Sequence, residues 1–428
     1  MSLLAHGVGS QHDLPISPFY AYAGAFTALL VSFLALGLLW SDSRFRGDRS
    51  GLALPGALQR LADARPTRTA LRALGAAGLL AVVLWLLLGP DDAQENPAPG
   101  AVYVLLWVGL APASLLFGPV GRLCNPMRAL YSLASRLVPS LLLPSRRRPL
   151  STRLGIRPAA AGLLVFTWLE LVAPDPASAT ALLLFLAAHT AVQLLGAARY
   201  GPEWYARADP FEVYSGLLAR LSPFGRRADG RLVLRNPLHG LDATPPAPGL
   251  VAAVCVLLGS TAYDGFSDSP RWITTVQTSS LGPTPTATLG LLAAVALVAA
   301  LYCLCAGALR LLNRALSHPL TAFAHSLLPI ALGYLVAHYF SLFVTEGPRT
   351  VMVALGTDNA PAPAPPLTPG GLAALQVAAI VTGHVLGVVA AHDRSVRLFP
   401  PDRAVAGQLP LFVLMIAYTL GGIGLLIA

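Results

Sequence analysis

Ten apolar stretches divide this chain of 428 residues and constrain its fold more than any other feature. A helix that crosses a membrane needs about 20 predominantly apolar residues, because the hydrocarbon core is about 30 Å thick. The stretches are Pro18–Trp40, Ala70–Gly89, Ala101–Phe117, Ala159–Ala173, Ser178–Ala198, Gly249–Ala262, Thr286–Leu309, Leu320–Val344, Gly371–Ala391 and Gly407–Ala428. The fourth and sixth are short. We therefore predict an all-α, polytopic transmembrane helix bundle of about ten spans, which forms a single integral membrane domain over residues 1–428.

The composition argues against a water-soluble fold. Only 11% of the residues are charged and 55% are hydrophobic, whereas soluble proteins carry about 25% charged residues. A net charge of +9 could indicate a nucleic-acid-binding protein, but the basic residues are all arginines that lie between the apolar stretches. We therefore predict the lipid bilayer as a partner and no nucleic acid. The sequence indicates no oligomeric state.

The loops between the predicted spans alternate in charge. Arginine-rich segments such as "RFRGDR", "SRRRP" and "FGRRADGR" follow odd-numbered spans, while acidic or nearly neutral segments such as "PDDAQENPAPG" and "PDPAS" follow even-numbered ones. Cytoplasmic loops of membrane proteins hold the excess of arginine. The pattern predicts a multi-pass protein with both termini outside and the large basic loops in the cytoplasm.

Two basic loops, residues 118–158 and 199–248, have the pattern of folded segments. Asn125–Pro139 begins with an Asn cap and a proline, and its apolar residues recur every three or four positions. Asp209–Pro223 shows the same pattern with a capping box. Each predicts an amphipathic helix in the membrane surface. The Asp-Gly turn in "ADGRLVLRNP" predicts a small β-hairpin after the second helix.

The same two segments form an internal repeat with an offset of 84 residues. The matching positions are Pro126, Leu133, Arg136, Leu137 and Pro139 with Pro210, Leu217, Arg220, Leu221 and Pro223. Both segments follow spans that run from the outer to the inner side, so the repeat is parallel rather than inverted. Parallel repeats occur in transporters, and duplication also builds membrane scaffolds.

Four histidines in or beside predicted spans form a candidate polar site inside the membrane: His325, His384, His392 and His189. Ionisable groups are costly in hydrocarbon, so they face the bundle interior, form pairs or line a pathway. His325 and His384 lie at similar depths, and the glycine spacing in "GHVLG" lets a second helix approach closely. The histidines could pass protons or ions, hold a b-type haem, or only make interhelical hydrogen bonds.

A second candidate site lies nearer the outer side of the predicted spans. Its candidate metal ligands are His338, Asp264, Glu170, His6 and His12. Imidazole and carboxylate suit a divalent ion such as Zn, and the sequence suggests no other cofactor at this site. Alternatively, His338 belongs to a belt of residues at the membrane interface, and the N-terminal histidines are solvated.

The sequence lacks the motifs of nucleotide-driven and common hydrolytic chemistry. HExxH, GxSxG, a phosphate-binding loop and a GxGxxG turn after a strand are all absent. Nucleotide hydrolysis by this chain is therefore excluded, and no catalytic residue can be assigned from a motif.

Six motifs spread over most of the chain resemble those of a known family. They are "HGVGSQHDLP", "FGPVGRLCNP", "DPFEVYSGLLARLSPFGRRADGRLVLRNPLHGL", "LLGSTAYDGFSDSP", "AHSLLPIALGYLVAHYFS" and "GHVLGVVAAHDRSVRLF". The family that they resemble consists of bacterial integral membrane proteins commonly labelled fenitrothion hydrolase. The resemblance implies a location in a bacterial cytoplasmic membrane and hydrolysis of an organophosphate triester by a membrane-bound enzyme. It implies no particular catalytic residues.

Two hypotheses about function follow. A membrane hydrolase of lipophilic phosphotriester-like substrates would use metal-bound hydroxide at the outer site, which such a substrate could reach from the bilayer. A transporter or channel for an ion or a small solute would use the histidines as a proton or metal path. The residues alone do not decide between the two, so whether the chain is an enzyme stays open at this point.

Overall fold

The computed structural model describes residues 18–137, 147–313, 318–357, 365–400 and 403–427. These residues are mostly helical. In chain order the helices are α1 (Pro18–Leu39), α2 (Gly56–Asp63), α3 (Arg65–Leu88), α4 (Pro97–Gly100), α5 (Leu110–Phe117), α6 (Val120–Leu123), α7 (Pro126–Leu137), α8 (Arg157–Leu171), α9 (Ala179–Tyr200), α10 (Tyr205–Ala208), α11 (Pro210–Leu218), α12 (Pro237–Asp242), α13 (Leu250–Ser267), α14 (Pro270–Thr278), α15 (Pro283–Leu312), α16 (Pro319–Ala322), α17 (Leu328–Ala354), α18 (Pro369–Leu398) and α19 (Leu409–Ile427). A π-helix, Ala101–Val108, joins α4 to α5.

Nine helical segments in the described part of the chain are long and apolar enough to cross a membrane. They contain α1, α3, α5, α9, α13, α15, α17, α18 and α19. The fourth predicted span corresponds to α8, whose 15 residues cover only about 22 Å at 1.5 Å per residue. The predicted all-α polytopic bundle of about ten spans is confirmed.

The eighth predicted span differs from the structure at both ends. The helix is interrupted at Phe323, between α16 and a 3₁₀ turn, Ala324–Leu327. The long helix α17 therefore begins only at Leu328. At the other end, the turn-like segment "TEGPR" is helical and α17 continues through Pro348. Packing explains this extension, because Gly347 lies close to the π-helix and Thr350 lies against Gly100.

Helices α17 and α18 pack closely against each other through small residues. A Cβ atom on Gly333 would lie 2.6 Å from the carbonyl oxygen of Ala379, and one on Gly383 would lie 2.5 Å from that of Pro329. No side chain fits at such distances, so glycine lets the two backbones touch. The glycine spacing around His384 thus has the structural role that the sequence suggested.

The two repeated segments contact each other at equivalent positions. The side-chain amide of Asn125 donates to Asp209, 84 residues later, at 2.9 Å. The Arg128 guanidinium donates two hydrogen bonds of 2.7 Å to Glu212, again 84 residues later. In addition, α7 packs on α9 while α11 packs on α5. Such reciprocal contacts are those of a pseudo-twofold axis between two parallel repeats.

Helix α11 lies inside the protein rather than flat on the membrane surface. Seven of its nine residues are buried, and it packs against α5, α6 and α8. Helix α7 keeps the more amphipathic character predicted for both, with Met127 and Tyr131 as its buried residues.

Three short strands form a sheet at the arginine-rich end of the bundle. They are β1 (Leu52–Ala53), β2 (Phe224–Arg226) and β3 (Leu232–Leu234), arranged in the order β1-β3-β2. The Asp229–Gly230 turn joins β2 and β3, and Gly230 has a φ of 83°, which favours glycine. The sequence pattern predicted this hairpin but not the addition of β1.

Candidate functional site

The centre of the candidate site is a hydrogen-bonded group of three side chains from α13 and α17. One carboxylate oxygen of Asp264 lies 2.7 Å from Nε2 of His338, and it accepts a hydrogen bond of 2.8 Å from the Tyr339 hydroxyl. The exposed fractions of Asp264, His338 and Tyr339 are 1%, 6% and 4%. The structure thus joins two of the predicted metal-ligand candidates directly and adds a tyrosine.

This group lies inside the membrane-spanning part of the bundle. Asp264 follows Leu250, the first residue of α13, by 14 residues, and His338 follows Ala324 by 14. At 1.5 Å per residue, each lies about 21 Å from the arginine-side end of its helix. In a hydrocarbon core about 30 Å thick, that depth is in the half away from the arginine-rich end.

A second carboxylate belongs to the same cluster. Glu170 on α8 is 6% exposed and interacts electrostatically with Asp264. Within the described part of the chain, Oε2 of Glu170 and the second carboxylate oxygen of Asp264 have no hydrogen-bond partner. The Tyr214 hydroxyl, which interacts with Glu170, has none either. Buried polar atoms are normally hydrogen-bonded, so these three unsatisfied atoms mark a place for a proton, a water or a small cation.

Aromatic side chains from both repeats lie beside the site. Trp107 stacks on Tyr214 with ring centroids 4.7 Å apart, and Phe166 lies 5.0 Å from Trp107. Trp107 lies on the π-helix, a distortion that is frequent at functional sites. No sequence pattern marks Tyr214 or Trp107 as part of the site, and the only sequence signal for Tyr339 is its position next to His338.

The cluster buries the carboxylates of Asp264 and Glu170 and compensates only part of their negative charge. An ionised carboxylate in an apolar interior is costly unless it is paired and hydrogen-bonded. One side of Asp264 meets this requirement through His338 and Tyr339, whereas its other oxygen and Glu170 do not. The negative charge of the pair therefore has to be offset by a proton or by a bound cation.

The structure does not complete a metal site in the described residues. Among them, no group of three or more His, Cys, Asp or Glu side chains could hold a metal ion. Two of the predicted ligands, His6 and His12, lie outside the described residues. His338, Asp264 and Glu170 therefore do not form a metal site by themselves, and the predicted divalent ion stays a prediction.

The two histidines predicted near the cytoplasmic side lie on neighbouring elements but are not in contact. His384 on α18 bonds through Nδ1 to the carbonyl of Ile380 at 2.8 Å, and its ring lies edge-on to Tyr334 at 5.6 Å. His325 in the 3₁₀ turn faces the carbonyl of Ala390 on α18, about 9 Å along the helix from His384. Both rings are buried and, in the described part of the chain, both Nε2 atoms lack a partner.

These positions bear on the haem alternative. The backbones of α17 and α18 touch at Gly333 and Gly383, which are beside His384. A porphyrin needs an open slot between the helices that carry its ligands, and this contact leaves none there. The geometry therefore does not fit a haem between His325 and His384.

His392 is a structural histidine in this fold. Its two ring nitrogens are both occupied, at 2.6 Å by the amide of Gln408 and at 2.9 Å by the carbonyl of Trp40. The next residue, Asp393, does not bond to that ring but accepts hydrogen bonds from the loop after α1, including the backbone N–H of Arg44 at 2.6 Å. The residues around His392 thus fix α18 to α1 and α19.

His189 belongs to a separate cluster. Its ring stacks on Phe185 at 5.9 Å and lies edge-on to Phe211 at 5.6 Å. Gln193, one turn later, donates to the carbonyl of Ala208 at 3.1 Å. These contacts fix α9 to α11 and place His189 away from His325 and His384.

Comparisons of the chain with protein-family models, with curated proteins and with solved structures find no match in any of the three. The resemblance to the fenitrothion hydrolase family therefore stays a prediction from the sequence motifs. What the site can do follows from its own geometry and chemistry.

Proposed function

We propose that this chain moves protons across the membrane, as a channel or as a transporter, with Asp264, His338 and Glu170 as the proton-binding site. One observation carries the proposal: two carboxylates share a buried cluster inside the helix bundle, and each has an oxygen without a hydrogen-bond partner among the described residues. Ionisable residues at such depth commonly mark ion pathways and proton relays.

The neighbours of Asp264 suit a group that gains and loses a proton. When Asp264 is ionised, Tyr339 donates to it, and His338 can donate from Nε2. When Asp264 is protonated, the neutral imidazole can accept instead. The same geometry therefore serves both protonation states without movement of the backbone.

His384 and His325 extend the proposed path toward the arginine-rich end. Each has a buried Nε2 without a partner in the described part of the chain, so each can take up a proton from a neighbouring water. His392, which the sequence analysis grouped with them, is excluded from the path because both of its nitrogens are occupied. The gaps of about 10 Å between successive rings require intervening waters.

The hydrolase hypothesis is the second candidate, and the His338–Asp264 hydrogen bond of 2.7 Å favours it. A carboxylate that orients an imidazole is the usual arrangement of a general base. His338 would take a proton from a water whose oxygen bonds to phosphorus, while the bond from phosphorus to the aryloxy group breaks. A divalent ion held by Asp264 and Glu170, together with ligands outside the described residues, would lower the pKa of that water.

Reconstituted protein distinguishes the two functions. We expect proteoliposomes to take up protons under a potassium diffusion potential, measured with a pH-sensitive dye, and Asp264→Asn and Glu170→Gln to abolish this flux. Asp229→Asn is the matched control, because Asp229 lies on the exposed hairpin turn and pairs with Arg227. If wild-type vesicles show no more flux than empty vesicles, the proton-path proposal is wrong.

The hydrolase candidate is tested on the same preparations. Release of nitrophenol from fenitrothion that disappears in His338→Ala and in Asp264→Ala, with no proton flux in wild-type vesicles, would favour the enzyme. Loss of that activity with a chelator would add the divalent ion. The absence of nitrophenol release by the wild-type protein would reject this candidate.

We also propose an orientation in a bacterial cytoplasmic membrane, with both termini outside. The distribution of arginine supports it, since the loops around α2, α7 and the hairpin carry most of the positive charge. A membrane-impermeant reagent applied to intact cells should label a cysteine introduced at Gln94, in the connection between α3 and α4, and not one introduced at Asp229. The reverse pattern would invert the orientation.

A further inference from the structure

Three exposed apolar side chains lie side by side on the small sheet. Leu52 on β1, Leu234 on β3 and Phe224 on β2 are paired in register, so they project from the same face. Their exposed fractions are 76%, 44% and 36%. Because neighbouring strands lie about 4.8 Å apart, these residues form a continuous apolar strip about 10 Å long. We call these three residues the apolar row.

The opposite face of the sheet packs against the protein. Val233, at the centre of β3, is fully buried and lies against Gly51, where a Cβ atom would be 2.8 Å from its side chain. The apolar row therefore points away from the packed side. Single exposed apolar residues are normal on a protein surface, whereas a contiguous group of them indicates an interaction site.

The central strand of the sheet is held at the boundary of the membrane. A hydrocarbon core about 30 Å thick takes about 20 residues, so counting back from Leu88 places the boundary near Thr69 and the start of α3, Arg65, about 6 Å beyond it. Only Ala64 separates α3 from α2. The side chain of Gln59 on α2 then bonds twice to the backbone of Leu232 on β3, at 2.7 and 2.8 Å.

The edge strand β2 lies against the end of a different span at the same boundary. The segment Pro97–Phe117 is long and apolar enough to cross the membrane, and it ends at Gly118. A Cβ atom on Gly118 would lie 3.7 Å from the carbonyl oxygen of Phe224 on β2. Strands β3 and β2 are thus both tied to the ends of membrane spans, at the level of the lipid headgroups.

The surroundings of the apolar row match an anionic lipid surface. Helix α2 exposes Leu58 and Leu61, with exposed fractions of 47% and 60%, and it also exposes Arg60. Arg65, at the start of α3, is exposed as well. Apolar residues beside arginine are typical of segments that lie in a membrane interface, and arginine near anionic lipid strengthens such binding.

We infer that the apolar row and the apolar face of α2 insert into the leaflet at the arginine-rich end of the protein, where the neighbouring arginines bind anionic headgroups. The inference is independent of the proposed proton path. The inserted sheet would hold the loop between α1 and α3 and the hairpin between α11 and α12 at the same depth in the membrane interface.

Collision accessibility of a spin label tests this inference. A nitroxide is attached to Leu52→Cys in nanodiscs that contain phosphatidylglycerol, on a background in which the four native cysteines are replaced by alanine. We expect the ratio of collisions with oxygen to collisions with a water-soluble nickel chelate to be several-fold higher than for the same label at Asp229→Cys on the hairpin tip. Equal ratios at the two sites would overturn the inference, because the row would then face water.

Two further outcomes are informative. Low accessibility of Leu52→Cys to both reagents would mean that protein, such as a second copy of the chain, covers the apolar row, and this would also overturn the inference.

Photolabelling of the unaltered protein avoids the cysteine-free background. A phosphatidylglycerol with a diazirine near its headgroup should label peptides from residues 52–63 and 224–234. Equal labelling by a phosphatidylcholine analogue would reject the preference for anionic lipid.

Discussion

The imidazole of His338 and the carboxylate of Asp264 are 2.7 Å apart, and both side chains are shielded almost completely from the surface. They come from different helices, 74 residues apart in the chain. An ion pair or a strong hydrogen bond in such a place stabilises the fold only if its partners stay together, because either group alone would be a buried polar group without compensation. This relationship therefore links the stability of the bundle to its proposed function.

Removal of the imidazole should destabilise the protein. We expect His338→Leu to lower the free energy of unfolding by about 3–5 kcal/mol, because it leaves Asp264 buried with Tyr339 as its remaining bonded neighbour. Asp264→Asn should cost clearly less, since the amide oxygen can still accept from Tyr339 and no charge is left unpaired. Denaturant unfolding of the detergent-purified variants measures both. Equal losses for the two variants would contradict this account of the pair.

The close contact between α17 and α18 makes a second prediction. Gly383→Ala should destabilise the protein by about 1–3 kcal/mol, because the added Cβ would lie 2.5 Å from the carbonyl oxygen of Pro329 and the helices would have to separate. Gly307→Ala on α15 is the matched control, since no atom lies within 4 Å of its Cβ position. It should be neutral or stabilise by up to about 1 kcal/mol. Thermal unfolding of both variants provides the test, and a loss of similar size in the control would show that the contact is not the cause.

The contact between the repeats makes a third prediction. Arg128→Met should cost about 3–5 kcal/mol, because Glu212, whose side chain is 4% exposed, would lose the two hydrogen bonds from the guanidinium and keep the one from the Asn125 amide. Adding Glu212→Gln should restore part of that loss, since the uncompensated charge is removed. A double-mutant cycle on unfolding free energies measures the coupling. A coupling energy near zero would mean that this pair does not hold the repeats together.

A fourth prediction concerns pH at the arginine-rich end. Nδ1 of His239 on α12 accepts a hydrogen bond of 2.9 Å from the backbone N–H of Arg46, and burial lowers the pKa of His239 below its ordinary value of 6.5. Because the folded state binds the proton less readily than the unfolded state, this contribution to stability is complete above pH 6.5 and is lost as the pH falls through the lower, folded-state pKa. Protonation also removes the acceptor.

Hydrogen exchange provides the measurement for this pH effect. After correction for intrinsic rates, the amide of Arg46 should exchange faster as the pH falls below 6.5, whereas in His239→Asn, whose amide oxygen can still accept but does not titrate, the protection should not depend on pH. A wild-type protein whose protection at Arg46 stays constant over that range would contradict the prediction.

The sequence predicted those parts of the structure that depend on local pattern. Apolar length gave the helix bundle, the offset of 84 residues gave the repeats, and the Asp229–Gly230 turn gave the hairpin. Ionisable residues inside spans also singled out Asp264 and His338. Helix length and turn type are set by neighbouring residues, and the repeat is visible because one segment can be compared directly with another along the sequence.

The remaining features depend on contacts between distant segments. That Tyr339 bonds to Asp264 follows from the packing of α13 on α17, which no local pattern determines. His325 lies in the 3₁₀ turn that follows the interruption of the helix at Phe323. The apolar run continues through this interruption, so the sequence does not show it. Likewise, both nitrogens of His392 are occupied by groups on α1 and on the segment before α19, so its structural role could not be seen in "AHDR".

In the proposed function, Asp264 and Glu170 together form one buried proton-binding site. Infrared difference spectroscopy on the membrane-reconstituted protein, recorded as the pH is changed, measures it most directly through the C=O stretch of a protonated carboxyl group. We expect such a band in the wild-type protein, its loss in Asp264→Asn or Glu170→Gln, and its persistence in Asp229→Asn. A band that is unchanged in both site variants, or no carboxyl band at any pH, would contradict this proposal.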